Sequence, residues 1–227
     1  MIWSSAQPHS VSDMVSRCFE GHERDLAAIW ARDTLGLTED QYYHKAQTTK
    51  NLAKPWAELS ISEHVTSPQR HSASTTLLLD DSPLKARLQP WNHACIREYV
   101  EMQRQRDLEI MQAFSEEGES EFEDAVLSLK YDETLLAVIG VLDALKHESN
   151  VASWLRKGGL FHPGGRMRGL TGPVDSHSRT SSPVSPDCVE PGKLWFDDEP
   201  ILNAWVLRGK AALRELDIPL TPGLFME

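Results

Sequence analysis

The sequence predicts an α/β fold built on a parallel sheet, and three observations carry that expectation. Thr75-Thr76-Leu77-Leu78-Leu79 is an apolar run too short for a stable helix, closed by Asp80-Asp81-Ser82-Pro83, and reads as a strand buried on both faces. Met1-Ile2-Trp3, the loop Ser4-Ser5-Ala6-Gln7-Pro8 and a helical pattern after it give strand, loop and helix in succession. Leu26 to Ala31 then supplies a second candidate strand, closed by Arg32-Asp33. With 227 residues, 40% of them hydrophobic, the chain has room for a real core in one large or two small domains.

Charge and cysteine usage narrow the function classes. A formal net charge of -11 lacks the general basic footprint of a nucleic-acid binder, so no direct nucleic-acid partner is expected. Cys18, Cys95 and Cys188 lie far apart with no C-x-x-C spacing, which argues for free thiols in a reducing compartment and against zinc. The longest aliphatic run, Leu135 to Leu142, falls far short of the roughly 20 residues of a membrane span. No basic-then-apolar leader opens the chain, so the expected location is intracellular, nuclear or cytoplasmic.

Taken in order, the first helix carries Val11, Met14, Val15, Cys18 and Phe19 on one face, with Ser10 and Asp13 spaced as a capping pair and Gly21 as the stop. The loop before it can offer backbone N–H groups and the Ser4 and Ser5 hydroxyls to an anion, or serve only as a turn. Thr38 and Gln41 have capping-box spacing, and Lys54-Pro55-Trp56 opens another helix. Between them lies Lys50; an isolated lysine is ordinarily a solvated surface residue. Residues 60–73 form a polar connection in which His64 and His71 are expected to be exposed.

Open parallel sheets bind ligands at the carboxyl ends of their strands, which is where Asp80 and Asp81 fall. The same spacing also suits Asp81 as the cap of a helix opened by Pro83. After a brief apolar piece at Ala94-Cys95-Ile96, Leu108, Met111 and Phe114 mark a helical face, and Glu116 to Asp124 reads as a solvated acidic loop. Asp132 caps a nearly continuous apolar helix, Leu135 to Leu145, expected to pack on a sheet, and Asn150 begins a short turn with Val151 and Trp154. Residues 157–193, rich in Gly, Ser and Pro, are expected to be a flexible linker. Trp195, Ile201, Leu202, Trp205, Leu207, Ala212 and Leu216 then give a helical tail. The expected division is a domain over 1–156, the linker over 157–193 and the tail over 194–227.

Three of these pieces carry a resemblance. Trp3-Ser4-Ser5-Ala6, Lys50-Asn51-Leu52 and Leu78-Leu79-Asp80-Asp81-Ser82-Pro83, in this order, resemble the second, third and fourth motifs of the haloacid dehalogenase superfamily. Within it they are similar to the carboxy-terminal-domain phosphatase-like family, also called the NLI-interacting-factor domain. Gln89-Pro90-x-Asn92 fits that family, and Ile29 to Asp33 through Lys50 resembles a fungal-type branch. The resemblance covers about residues 1 to 155.

The resemblance implies a haloacid-dehalogenase-like three-layer sheet with Ser4, Lys50 and Asp80 converging at one edge. It also implies a magnesium-dependent phosphatase acting on phosphoserine or phosphothreonine in a phosphoprotein or phosphopeptide, through an aspartyl-phosphate. By motif position, Ser4 would bond the phosphoryl oxygens and Lys50 would neutralise phosphate and attacking carboxylate. Asp81 would reach magnesium directly, and Asp80 would hold a metal water and Lys50. Asn51 stands where the family has an aspartate after the lysine.

The family's first motif, Asp-x-Asp-x-Thr, supplies nucleophile and general acid/base, and this chain contains no such sequence. Losing a nucleophile costs on the order of a millionfold in rate. The expectation is therefore a domain truncated before its catalytic strand, with the middle of its sheet missing, and inactive without that strand. The alternative is a non-catalytic binding module of the same family, as in the mitochondrial inner-membrane translocase subunit that receives basic presequences; the acidic balance suits it, and it implies a mitochondrial location.

Overall fold

A computed structural model describes residues 1–59, 70–116, 131–164 and 194–220. They form two compact units: Met1–Cys95 with Ser149–Leu155, and Ile96–Glu148 with Arg156–Glu227. Helices and short parallel strands alternate in the first, so the chain is of mixed α/β type. None of the helices among the described residues is long and apolar enough to cross a membrane.

In the first unit, β1 (Ile2–Trp3) runs into α1 (Pro8–Cys18) and returns as β2 (Ile29–Trp30), which pairs in parallel with β1 in the register Ile2 to Ile29 and Trp3 to Trp30. α1 starts earlier than Ser10: Pro8 takes the first turn, where its missing N–H costs nothing, and no side chain caps the end. Only Val11 and Val15 of the expected face are buried, with Ala31, while Met14 and Cys18 stay exposed. A two-stranded pair is too narrow to cover the whole apolar face of a helix, so the stripe shrinks to the i, i+4 row, with Phe19 packed at its end.

The loop after β2 is held by Arg32, whose guanidinium donates to the carbonyls of Ser5 (3.2 Å), Gln41 (2.7 Å), Tyr42 (2.9 Å) and His44 (2.8 Å). It leads into α2 (Glu39–Tyr43), which opens on the expected reciprocal box: Thr38 accepts from the Gln41 N–H and Gln41 accepts from the Thr38 N–H. α3 (Ala53–Glu58) follows Lys50. Residues 60–69, His64 among them, lie outside the described residues, and His71 is half-buried instead of exposed.

β3 (Leu78–Asp80) pairs in parallel with β4 (His93–Cys95), Asp80 lying opposite Cys95. Leu78 and Leu79 are half-buried, not enclosed on both faces, because β3 has one partner strand among the described residues. Among the described residues the strands lie in two separate parallel pairs, β1 with β2 and β3 with β4, where a three-layer sheet lacking its middle strand was expected. Two helical turns, Pro83–Ala86 and Pro90–Asn92, connect β3 to β4.

The second unit holds α4 (Glu101–Glu116), α5 (Thr134–Leu145) and α7 (Glu199–Glu215), with α6 (Val151–Arg156) contributing its last residue. On α4 the expected face is turned outward: Leu108 and Met111 are exposed and Ile110 is the buried residue; the Phe114 side chain and residues 117–130 lie outside the described residues. Asp132 accepts from the Thr134 N–H at 2.8 Å and so serves the start of α5. Within this unit α5 packs against α7, a helix where a sheet was expected.

Their backbones meet at two glycines: a Cβ on Gly140 would strike the Trp205 carbonyl, and one on Gly209 the Leu136 carbonyl. Trp205 is fully buried there, its indole N–H donating to the Leu160 carbonyl at 2.8 Å, whereas Leu207 and Leu216, expected on the same face, are exposed. Of the expected linker, residues 157–164 are described and contain a turn over Gly159–Phe161 that buries Leu160; residues 165–193 lie outside the described residues.

Candidate functional site

Asp80 ends β3, and the chain turns there because Ser82-Pro83 cannot continue the ladder. Its buried carboxylate is enclosed by donors. Lys50 Nζ lies 2.6 Å from Oδ2, the Ser82 N–H donates to Oδ1 at 3.0 Å, and Lys85 Nζ stands 3.4 Å from Oδ1. Burial pushes the Asp80 carboxyl up, but the Lys50 hydrogen bond and charge, the Ser82 N–H and the Lys85 charge outweigh it and hold it below the ordinary carboxylate value.

Lys50 is buried, against the expectation for an isolated lysine. Its backbone N–H donates to the Lys85 carbonyl at 2.8 Å, so the loop before α3 is laced to the turn after β3. Asn51 does not orient the Lys50 side chain. Its amide oxygen accepts from the Ala53 N–H (3.1 Å) and from Gln89 Nε2 (3.0 Å), and Gln89 in turn accepts from the Leu52 N–H (3.0 Å). Asn92, 2% exposed, donates to the carbonyls of Ala73 and Thr76, both at 2.7 Å, and fixes the approach to β3. Gln89 and Asn92 are therefore scaffold residues of the corner.

Asp81 points differently. Its carboxylate is 40% exposed and pairs with Lys85 at 3.5 Å. The side chain that serves the turn opened by Pro83 is that of Asp80, through the Ser82 N–H, and not that of Asp81. β4 secures both acidic residues from behind. The His93 Nε2 lies 2.9 Å from the Asp80 carbonyl, and the Cys95 thiol lies 3.5 Å from the Asp81 carbonyl. A carbonyl only accepts, so His93 carries its proton on Nε2. Burial lowers the His93 pKa below its ordinary value, against the upward pull of the Asp80 carbonyl and the nearby carboxylates.

The structure thus brings Lys50, Asp80 and Asp81 together, all within the first unit. Ser4 stays with the β1–β2 pair: its N–H donates to the Trp30 carbonyl at 2.9 Å, and its hydroxyl accepts from the Ala6 N–H at 3.1 Å. No hydrogen bond joins it to Lys50 or Asp80 among the described residues. Two members of the corner escaped the sequence reading. Lys85 carried a signal, its i+4 spacing from Asp81 across a Pro-opened turn; His93 carried none.

The arrangement offers a dry, fixed cation beside a strand end, which can hold or stabilise negative charge. It does not fit magnesium from this chain alone. The ion wants an octahedron of oxygens, yet Asp80 is already occupied by two ammonium groups and an N–H, and no group of three acidic, histidine or cysteine side chains able to hold a metal occurs among the described residues.

No protein-family model matches the chain, and no solved structure does. Over 101 residues it is 34% identical to an uncharacterized FCP1 homology domain-containing protein of Schizosaccharomyces pombe. That stretch is 44% of this chain and 41% of the relative, so the chain spans well under half of the curated protein it matches. The similarity is to a protein named for its FCP1 homology domain, and the described residues of this chain are of mixed α/β type.

Proposed function

We propose that the corner formed by Lys50, Asp80 and Asp81 is the phosphate-handling edge of a haloacid-dehalogenase-like domain that recognises phosphoserine or phosphothreonine in a protein partner. This chain does not itself turn such a substrate over. The observation that carries the reading is the buried 2.6 Å ion pair at the carboxyl end of a parallel strand, joining two residues from separate motifs. Lys50 neutralises the anionic group, the Ser4 hydroxyl donates to it, and Asp80 holds Lys50 in place. The absence of turnover follows from role counting: no Asp-x-Asp-x-Thr occurs in the sequence to supply a nucleophile and acid/base, and β1 and β3 belong to separate pairs.

The formal charge of -11 favours a second reading, a non-catalytic module that receives a basic segment of a partner. One titration separates the two. A phosphoserine peptide should bind the purified chain, its unphosphorylated form should not, and Ser4→Ala should weaken the phosphorylated one, with p-nitrophenyl phosphate hydrolysis no faster than in buffer. Equal binding of both peptides overturns the phosphate reading, and preference for a basic amphipathic peptide selects the second.

A further inference from the structure

Two lysines and two aspartates meet at the end of β3, and their formal charges cancel. We propose that Lys85 is the built-in counter-ion of the Asp80–Asp81 corner: its ammonium occupies the ground between the two carboxylates that a divalent cation would need, so this chain balances the corner without metal. Lys85 Nζ stands 3.4 Å from Asp80 Oδ1 and 3.5 Å from Asp81 Oδ1, bridging the buried carboxylate and the open one. Its side chain is 21% exposed, and its backbone carbonyl accepts from the Lys50 N–H at 2.8 Å, so the two cations are tied through the main chain.

The turn over Pro83–Ala86 fixes the arrangement, because Pro83 sets the backbone and places Lys85 four residues after Asp81. A magnesium ion at about 2.1 Å from an Asp81 oxygen would face this ammonium across a few ångströms and would have to expel it. Asp80 cannot compensate, since Lys50 and the Ser82 N–H hold its oxygens. The two carboxylates are therefore balanced by lysine charge alone. This rests on the geometry of the four side chains and not on the phosphate reading.

The test is titration of magnesium, and of manganese as its paramagnetic stand-in, into the full chain, read by calorimetry and electron paramagnetic resonance. The wild-type chain should show no saturable binding at the corner. Lys85→Met should bind at least about tenfold more tightly, because a like charge has gone from beside Asp81. Adding Asp81→Asn should abolish that gain, and Lys85→Arg should behave as wild type. Saturable wild-type binding that Asp81→Asn removes, or no gain in a folded Lys85→Met, overturns the proposal.

If Lys85→Met does not fold, the wild-type ammonium decides through its nitrogen-15 resonance. A Lys85 signal unmoved by excess magnesium supports the proposal, and its displacement refutes it. Because the readout is metal and not peptide, the phosphate reading can fail while this one stands, and the reverse.

Discussion

Lys50 and Asp80, 30 residues apart in sequence, meet at 2.6 Å with side chains only 8% and 4% exposed. Breaking such a pair from one side strands a buried charge, whereas replacing both sides removes the problem. Lys50→Met should therefore destabilise the first unit by about 3 kcal/mol, with Lys85 at 3.4 Å as the cation left to Asp80 among the described residues. Lys50→Met/Asp80→Leu should recover most of that loss. Urea unfolding of the two variants measures it, and a double variant as unstable as the single one would show that the pair is not the cause.

His93 sets a pH dependence in a range where Asp80 is silent. Its folded pKa is lowered from the ordinary 6.5, so below that pH the unfolded chain binds a proton that the folded one refuses. The His93 contribution is complete above about 6.5 and is lost as pH falls from there through the folded value. His93→Gln should flatten that segment of the stability profile. Asp80, with its folded pKa below 3.8, keeps its contribution above the unfolded value and loses it only as pH falls through the folded one. Chemical denaturation at stepped pH reads both.

Gly140 and Gly209 reverse the usual helix rule. Alanine in place of a mid-helix glycine ordinarily stabilises by about 0.5–1 kcal/mol. Here each added Cβ would run into a backbone carbonyl of the facing helix. Gly140→Ala and Gly209→Ala should each destabilise the α5–α7 pair by about 1–3 kcal/mol or more, visible as a lower thermal midpoint.

Arg32 holds four carbonyls with one planar fork, a task that a single ammonium cannot repeat. Arg32→Lys should raise hydrogen exchange over residues 39–44 and cost about 1–3 kcal/mol. Unchanged exchange there would show that the Thr38–Gln41 box holds α2 unaided.

Local chemistry settled what lies close in the chain. The apolar run ending at Asp80, the Thr38–Gln41 box, the strand before Ser4 and the apolar helix before Leu145 were legible because spacing and turn residues set backbone conformation over a few neighbours. Lys50 and Asp80 stood out as candidates through their motifs, though nothing in those motifs showed that the lysine would be buried.

Tertiary structure decided the partners. Lys85 and His93 joined the corner because a turn and a neighbouring strand carried them to Asp80 through space. The outward Leu108 and Met111, the inward Ile110, and the packing of α5 on a helix instead of a sheet were decided in the same way. A periodic apolar pattern states that a face can be buried. Which row of it is buried depends on the width and shape of the surface opposite, and an ion pair depends on distances between residues that are remote in sequence.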